Sequence, residues 1–102
     1  MITAQQIRQD LMEIRYYYAH REELDKAADI IGENATVKKI MRYNQAVADA
    51  PPRLYHIYYC LYVMNNSQSA LAYEWDMSAD YIRQLNCKLL QHLLLSLHDD
   101  TL

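Results

Sequence analysis

A chain of 102 residues that is 52% apolar and 23% charged carries enough hydrophobic surface for one compact domain, and that composition excludes an intrinsically disordered chain. One Gly and two Pro are too few turn residues for an all-β protein, so the composition predicts an all-α fold. The net charge of −3 works against nucleic-acid binding, whose affinity comes largely from Lys and Arg releasing counterions.

The first helix signal is Thr3, a hydroxyl cap with Gln6 three residues later as the second half of a capping box. Ile7, Leu11, Ile14 and Tyr18 come next in alternating steps of four and three, and Leu24, Ala28 and Ile31 resume the rhythm after an interruption at Arg21. The pattern predicts one long amphipathic helix, or a coiled-coil seam, ended by Gly32 in a left-handed turn. Such a seam packs either within the chain or against a second copy. A second helix is predicted over residues 36–48, with Val37, Ile40, Met41, Asn44 and Val47 on one side and Lys38, Lys39 and Arg42 on or near the other. These three cations form the dense basic cluster of the chain. A solvated face and contact with phosphates are its two readings.

Asp49-Ala50-Pro51-Pro52 is the clearest boundary, dividing an N-terminal helical segment (1–50) suited to dimerisation from a C-terminal unit (51–102). A third helix is predicted from Arg53 to Met64, with Leu54, Ile57, Tyr58, Leu61 and Tyr62 inward and Asn65-Asn66 as its break. Two further helices fit the rest of the chain, Ser67 to Trp75 and Ser78 onward, each opened by a serine cap. Only Asp76-Met77 lies between them, the turn length of a helix-turn-helix. Leu71 and Ala72 face inward, Trp75 and Met77 plug the turn, and Ile82, Leu85 and Leu89 form the inner stripe of the last helix. Turns of this type usually carry Gly where this chain has Asp76, a residue that tolerates left-handed backbone better than most. A generic helical hairpin with no DNA role is the plain alternative.

Tyr58-x-x-Leu61-Tyr62, then Ser67-Gln68-x-x-Leu71-Ala72, then Met77-Ser78-x-x-Tyr81-Ile82-Arg83-x-Leu85-Asn86-x-Lys88-Leu89 resembles the region-4 domain of sigma-70-type factors. Small phage-encoded transcriptional regulators of the ArpU-like and RinA-like kind look similar over the same stretch, roughly the C-terminal half. The resemblance implies a DNA-binding transcriptional regulator of phage or mobile-element type, acting on double-stranded DNA. It also implies that the second helix of the motif enters the major groove. Carried onto this chain, the outward positions are Ser78, Ala79, Asp80, Arg83, Gln84 and Lys88, with Arg83 suited to guanine, Gln84 to adenine and Lys88 to phosphate. Ser67, Gln68 and Ser78 would meet the DNA backbone, and Tyr81 faces either a thymine methyl or Trp75.

Electrostatics oppose this reading. From Arg53 to Leu102 three basic residues stand against five acidic ones, and Asp80 sits in the first turn of the proposed recognition helix. A homodimer would double the contacts, or Lys38, Lys39 and Arg42 could be brought to the same face as phosphate contacts. Alternatively the fold serves protein recognition, as an inhibitor or adaptor working through a Tyr-rich or Leu-rich surface. Leu89, Leu90, Leu93, Leu94, Leu95 and Leu97 spread over more than one helical face; packing against the long first helix explains some of them and a dimer interface would account for the rest. RNA polymerase or another host protein is a further candidate partner. Ten Tyr and no Phe place many hydroxyl-bearing rings at the core boundary or at an interface.

No enzyme, cofactor or metal signal emerges. The single glycine excludes a phosphate-binding loop, Cys60 and Cys87 read as reduced, buried thiols, and His56 and Cys60 are four apart but lack a second ligand pair. His92 among leucines reads as a hydrogen-bonded boundary residue, and the pairs Glu22-Glu23 and Asp99-Asp100 read as solvated. No signal peptide, lipidation motif or membrane span is recognisable, so a soluble cytoplasmic protein without a membrane partner is expected.

Overall fold

The computed structural model describes residues 2–31 and 35–98, without the side chains of residues 27–31, and its regular structure is entirely helical. Helix α1 (Ala4–Ala19) begins at the expected cap, the Thr3 hydroxyl accepting from the Gln6 amide at 3.1 Å. The capping box is not completed. The Gln6 side chain reaches forward to Asp10 at 2.9 Å instead of back to Thr3.

The single long helix expected at the N-terminus is broken in two. Helix α1 stops at His20 (φ −123°, ψ 32°), and α2 (Arg21–Ile31) restarts with Glu22 and Glu23 in a first turn that favours negative charge. His20 is held in the break by its own contacts: its Nδ1 lies 3.0 Å from the Tyr16 carbonyl and its ring stacks on the Tyr16 ring. Across the break the Tyr17 hydroxyl donates to Asp25. Gly32 and the side chains of Ala28 and Ile31, the expected end of the stripe, lie outside the described residues.

Helix α3 (Ala35–Ala48) buries Ile40 and Val47 as expected, with Tyr43 in place of the expected Met41 and Asn44. Tyr43 turns inward because its hydroxyl finds a buried acceptor, Asp10, at 2.6 Å. Helix α4 (Pro52–Tyr58) is capped by Pro51 and carries Pro52 in its first turn, where the missing N–H has no intrahelical partner to lose. It runs directly into a π-helical turn, Tyr59–Val63. The wider turn buries three consecutive residues, Cys60, Leu61 and Tyr62, which a regular helix would spread over most of its circumference. Asn65, at φ 60°, then ends the element.

Helix α5 (Gln68–Trp75) and helix α6 (Ala79–His98) complete the chain, and α1, α3, α4 and α5 all pack on α6. Helix α6 buries Ile82, Leu85, Leu89, Leu93 and Leu97, a stripe in steps of three and four. Each such side chain contributes about 1.5–3 kcal/mol of burial. Leu90 and Leu94 pack at the edge of the core, and Leu95 alone among the six leucines is exposed, at 74%. Packing within one chain therefore accounts for five of the six leucines. The core joins both halves of the sequence: Ile7, Leu11, Ile14, Tyr43 and Val47 meet Leu54, Ile57, Leu71 and the α6 stripe. Among the described residues, no helix is long and apolar enough to cross a membrane.

Candidate nucleic-acid interface

Two serine caps and one left-handed residue set the geometry of the C-terminal helices. Ser67 Oγ accepts from the Ala70 amide and Ser78 Oγ from the Tyr81 amide, both at 3.0 Å. Asp76 takes the left-handed conformation (φ 54°, ψ 45°), the role expected of it. The Met77 amide donates to the Ala72 carbonyl at 2.9 Å and the Asp76 amide to the Tyr73 carbonyl at 3.2 Å, a Schellman closure of α5. Leu71 and Ala72 are buried beneath this turn as predicted. Met77, expected to plug the turn, is 42% exposed. Trp75 closes it without help from Met77, with the Arg53 guanidinium 5.2 Å from its ring centroid and the His56 ring at 4.9 Å.

This turn leaves the outer face of α6 uncovered. Ser78, Ala79, Asp80, Arg83, Gln84 and Lys88 are all exposed, as is Ser67, while Gln68 is half-buried. Arg83 Nη2 lies 3.0 Å from Asp80 Oδ1, but both side chains are mostly exposed, so solvent screens the pair and it is readily exchanged. Tyr81 is half-buried against the core.

The basic cluster of α3 sits differently from its expected role. Lys39 Nζ lies 2.7 Å from Glu13 Oε2 and 3.1 Å from Asp10 Oδ1, tying α3 to α1. Its hydrogen bond holds the Glu13 carboxyl below the usual carboxylate range against the opposing effect of burial, and the Thr36 hydroxyl adds a second donor at 2.8 Å. The same bond raises the Lys39 ammonium. Lys39, expected among the phosphate contacts, is thus an internal strut. Lys38 and Arg42 are exposed, and both have partners within the chain.

Cations from α1 and α4, not foreseen in this role, border α5 and α6. Arg15 Nε donates to Asn65 Oδ1 at 2.7 Å and Nη2 to the Asn66 carbonyl at 2.9 Å, just ahead of the Ser67 cap. Arg8 lines a groove with Ala4, Cys87, Leu90, Gln91 and Leu94, against the middle of α6. Between these arginines the Tyr62 hydroxyl donates to Asn86 Oδ1 at 2.6 Å. Burial pushes that hydroxyl's pKa up, and the charges of Arg15 and Arg8 oppose the rise. Nothing in the sequence pairs residues 8 and 15 with residues 65–91, because only tertiary packing makes them neighbours.

The remaining residues singled out from the sequence lie apart from this face. His56 rests on Trp75, whereas Cys60 is buried as expected, its thiol pushed up first by burial and then by Glu74; Cys87, expected to be buried too, is exposed on α6. Among the described residues no three His, Cys, Asp or Glu side chains gather to hold a metal. His92 Nε2 lies 3.0 Å from the Ala46 carbonyl, the hydrogen-bonded boundary position expected. Four tyrosines (Tyr17, Tyr43, Tyr58 and Tyr62) are buried with partnered hydroxyls. Tyr16, Tyr55, Tyr59 and Tyr73 stay exposed, with Met12 and Met64. Compared with known protein families, curated proteins and solved structures, the chain finds no match in any of the three.

Proposed function

We propose that this chain is a DNA-binding transcriptional regulator of phage or mobile-element type, which lays the start of α6 in the major groove of duplex DNA. The observation that carries the reading is the Schellman turn at Asp76, which joins two serine-capped helices and leaves Asp80, Arg83, Gln84 and Lys88 exposed along one helix. A helix with such a face fits the major groove, where Arg83 donates to guanine and Gln84 pairs with adenine. Lys88 and the serine caps meet phosphates. The chemistry needs no cofactor or metal. Two copies on a two-fold operator would double these contacts.

The test is fluorescence anisotropy with DNA from upstream of the chain's own operon, at two salt concentrations. Binding that weakens with added salt, and that loses its sequence preference in Arg83→Ala, supports the reading. A folded protein that leaves every such duplex unbound at low salt overturns it.

A second reading has its own support. Met12, Tyr16, Tyr55, Tyr59 and Met64, on α1, α4 and the turns after α4, are each 44–59% exposed, and such adaptable apolar side chains suit contact with RNA polymerase or another host protein. If these side chains are the working part, the chain is an adaptor or inhibitor and Tyr16→Ser with Tyr59→Ser abolishes its activity. If DNA is the partner, the same pair of changes leaves duplex affinity intact.

A further inference from the structure

We infer that most of the phosphate affinity comes from outside the two-helix motif, from Arg8 and Arg15 of α1 and Arg53 of α4, which form a cationic border around α5 and α6. The inference rests on the DNA reading above and names the residues that would supply its missing charge.

Apart from Lys38 and Arg42, which have partners within the chain, ion pairing separates the cations into two groups. Arg21 is paired with Asp25, Lys39 with Asp10 and Glu13, and Arg83 with Asp80. Five make no ion pair with a carboxylate among the described residues: Lys26 on α2, and Arg8, Arg15, Arg53 and Lys88. The last four stand beside the motif or within it. Arg15 is anchored at the Asn65-Asn66 entry to α5, and Arg53 is anchored over Trp75 at the exit of α5. Arg8 flanks α6 beside Cys87 and Gln91, and Lys88 is on α6 itself.

Arg15 uses two of its five N–H donors on the loop, which fixes its guanidinium while leaving donors for another acceptor. Arg53 is held by a ring face and by no anion, so its charge is uncompensated. With the exposed Arg8 and these two counted, five cations (Arg8, Arg15, Arg53, Arg83 and Lys88) stand against the three carboxylates of α5, α6 and their turn (Glu74, Asp76 and Asp80), while the α1 carboxylates Asp10 and Glu13 are engaged by Lys39. Among the described residues, cations thus outnumber the carboxylates carried by α5, α6 and their turn. Duplex DNA, a line of closely spaced phosphates, is the partner whose charge such a border matches.

The experiment measures affinity for a mixed-sequence duplex of about 20 base pairs across a salt series from about 25 to 200 mM. The full chain is compared with Arg8→Gln, Arg53→Gln and the double variant; neither arginine makes a hydrogen bond that the fold would lose. Arg21→Gln, whose cation is already paired, serves as control, and circular dichroism verifies folding. Each lost phosphate contact lowers the slope of log K against log salt by about 0.9, so the double variant falls by nearly 2 and the control stays at the parent value. If the parent binds with a salt slope that both variants retain, the border is wrong and the DNA reading stands. If the parent does not bind the duplex at low salt, both fall. If only a protein partner is lost in Arg8→Gln and Arg53→Gln, the arginines belong to a protein interface and the inference is overturned.

Discussion

Inside the core the Asp10 carboxylate receives the Tyr43 hydroxyl at 2.6 Å, the Gln6 amide at 2.9 Å and the Lys39 ammonium at 3.1 Å. A buried carboxylate with three partners is tolerated, whereas one stripped of a partner is costly. Tyr43→Phe should therefore lower stability by about 1–2 kcal/mol, read from urea denaturation, although the ring still fills its site. A change near zero would mean that the hydroxyl is dispensable. Glu13 beside this network is held below its ordinary range chiefly by the Lys39 hydrogen bond, so it stabilises the fold above that range and loses its contribution as pH falls through it. Lys39 is raised, so the pair also fails as pH climbs past the ordinary lysine range. Tyr43 and Tyr58 are raised first of all by burial, and their contribution disappears on the same alkaline side. Thermal melts across pH should show Glu13→Gln with a flatter acid limb than the parent. Equal acid limbs would remove Glu13 from the account. The spacing of α3 could not reveal this arrangement, because the acceptor that draws Tyr43 inward belongs to α1.

At the scale of elements, caps and turns were legible because they are local. Thr3, Ser67 and Ser78 each accept a hydrogen bond from an amide three residues on, and Asp76 takes the left-handed position. Asp76→Gly should relieve about 1 kcal/mol of backbone strain, and Asp76→Val should add about 1–2 kcal/mol, measured as shifts in the urea midpoint. Identical midpoints for all three would show that the turn does not constrain the fold. Leu89 and Leu95 provide a second contrast, one fully buried and the other 74% exposed. Leu89→Ala should cost about 2–5 kcal/mol. Leu95→Ala should stay within about 0.5 kcal/mol. A large cost for Leu95→Ala that depends on protein concentration would bring back an interface at that position. The break at His20 and the π turn at Tyr59–Val63 escaped the sequence pattern. The interruption at Arg21 marks the first without saying that the helix stops there, and the π turn keeps its neighbours in apolar register, so spacing alone does not define either.

For the whole molecule, α6 is the common support, and its partners come from both sides of the proline boundary. A fragment of residues 51–102 would keep the motif but expose the faces that Ile7, Leu11, Ile14, Tyr43 and Val47 cover. Short helices without such packing are marginal in water, so the fragment should show weak helicity by circular dichroism and no cooperative melt. A cooperative transition would mean that the motif folds independently. The all-α class, the positions of the caps, the left-handed Asp76 and the inner stripe of α6 were determined by the sequence itself, because each depends on residues within a turn or two of one another. Which charges surround the motif was decided only by tertiary structure. Packing neutralises Lys39 inside α1 and α3 and brings Arg8, Arg15 and Arg53 beside α5 and α6, since electrostatic effects depend on distance in space.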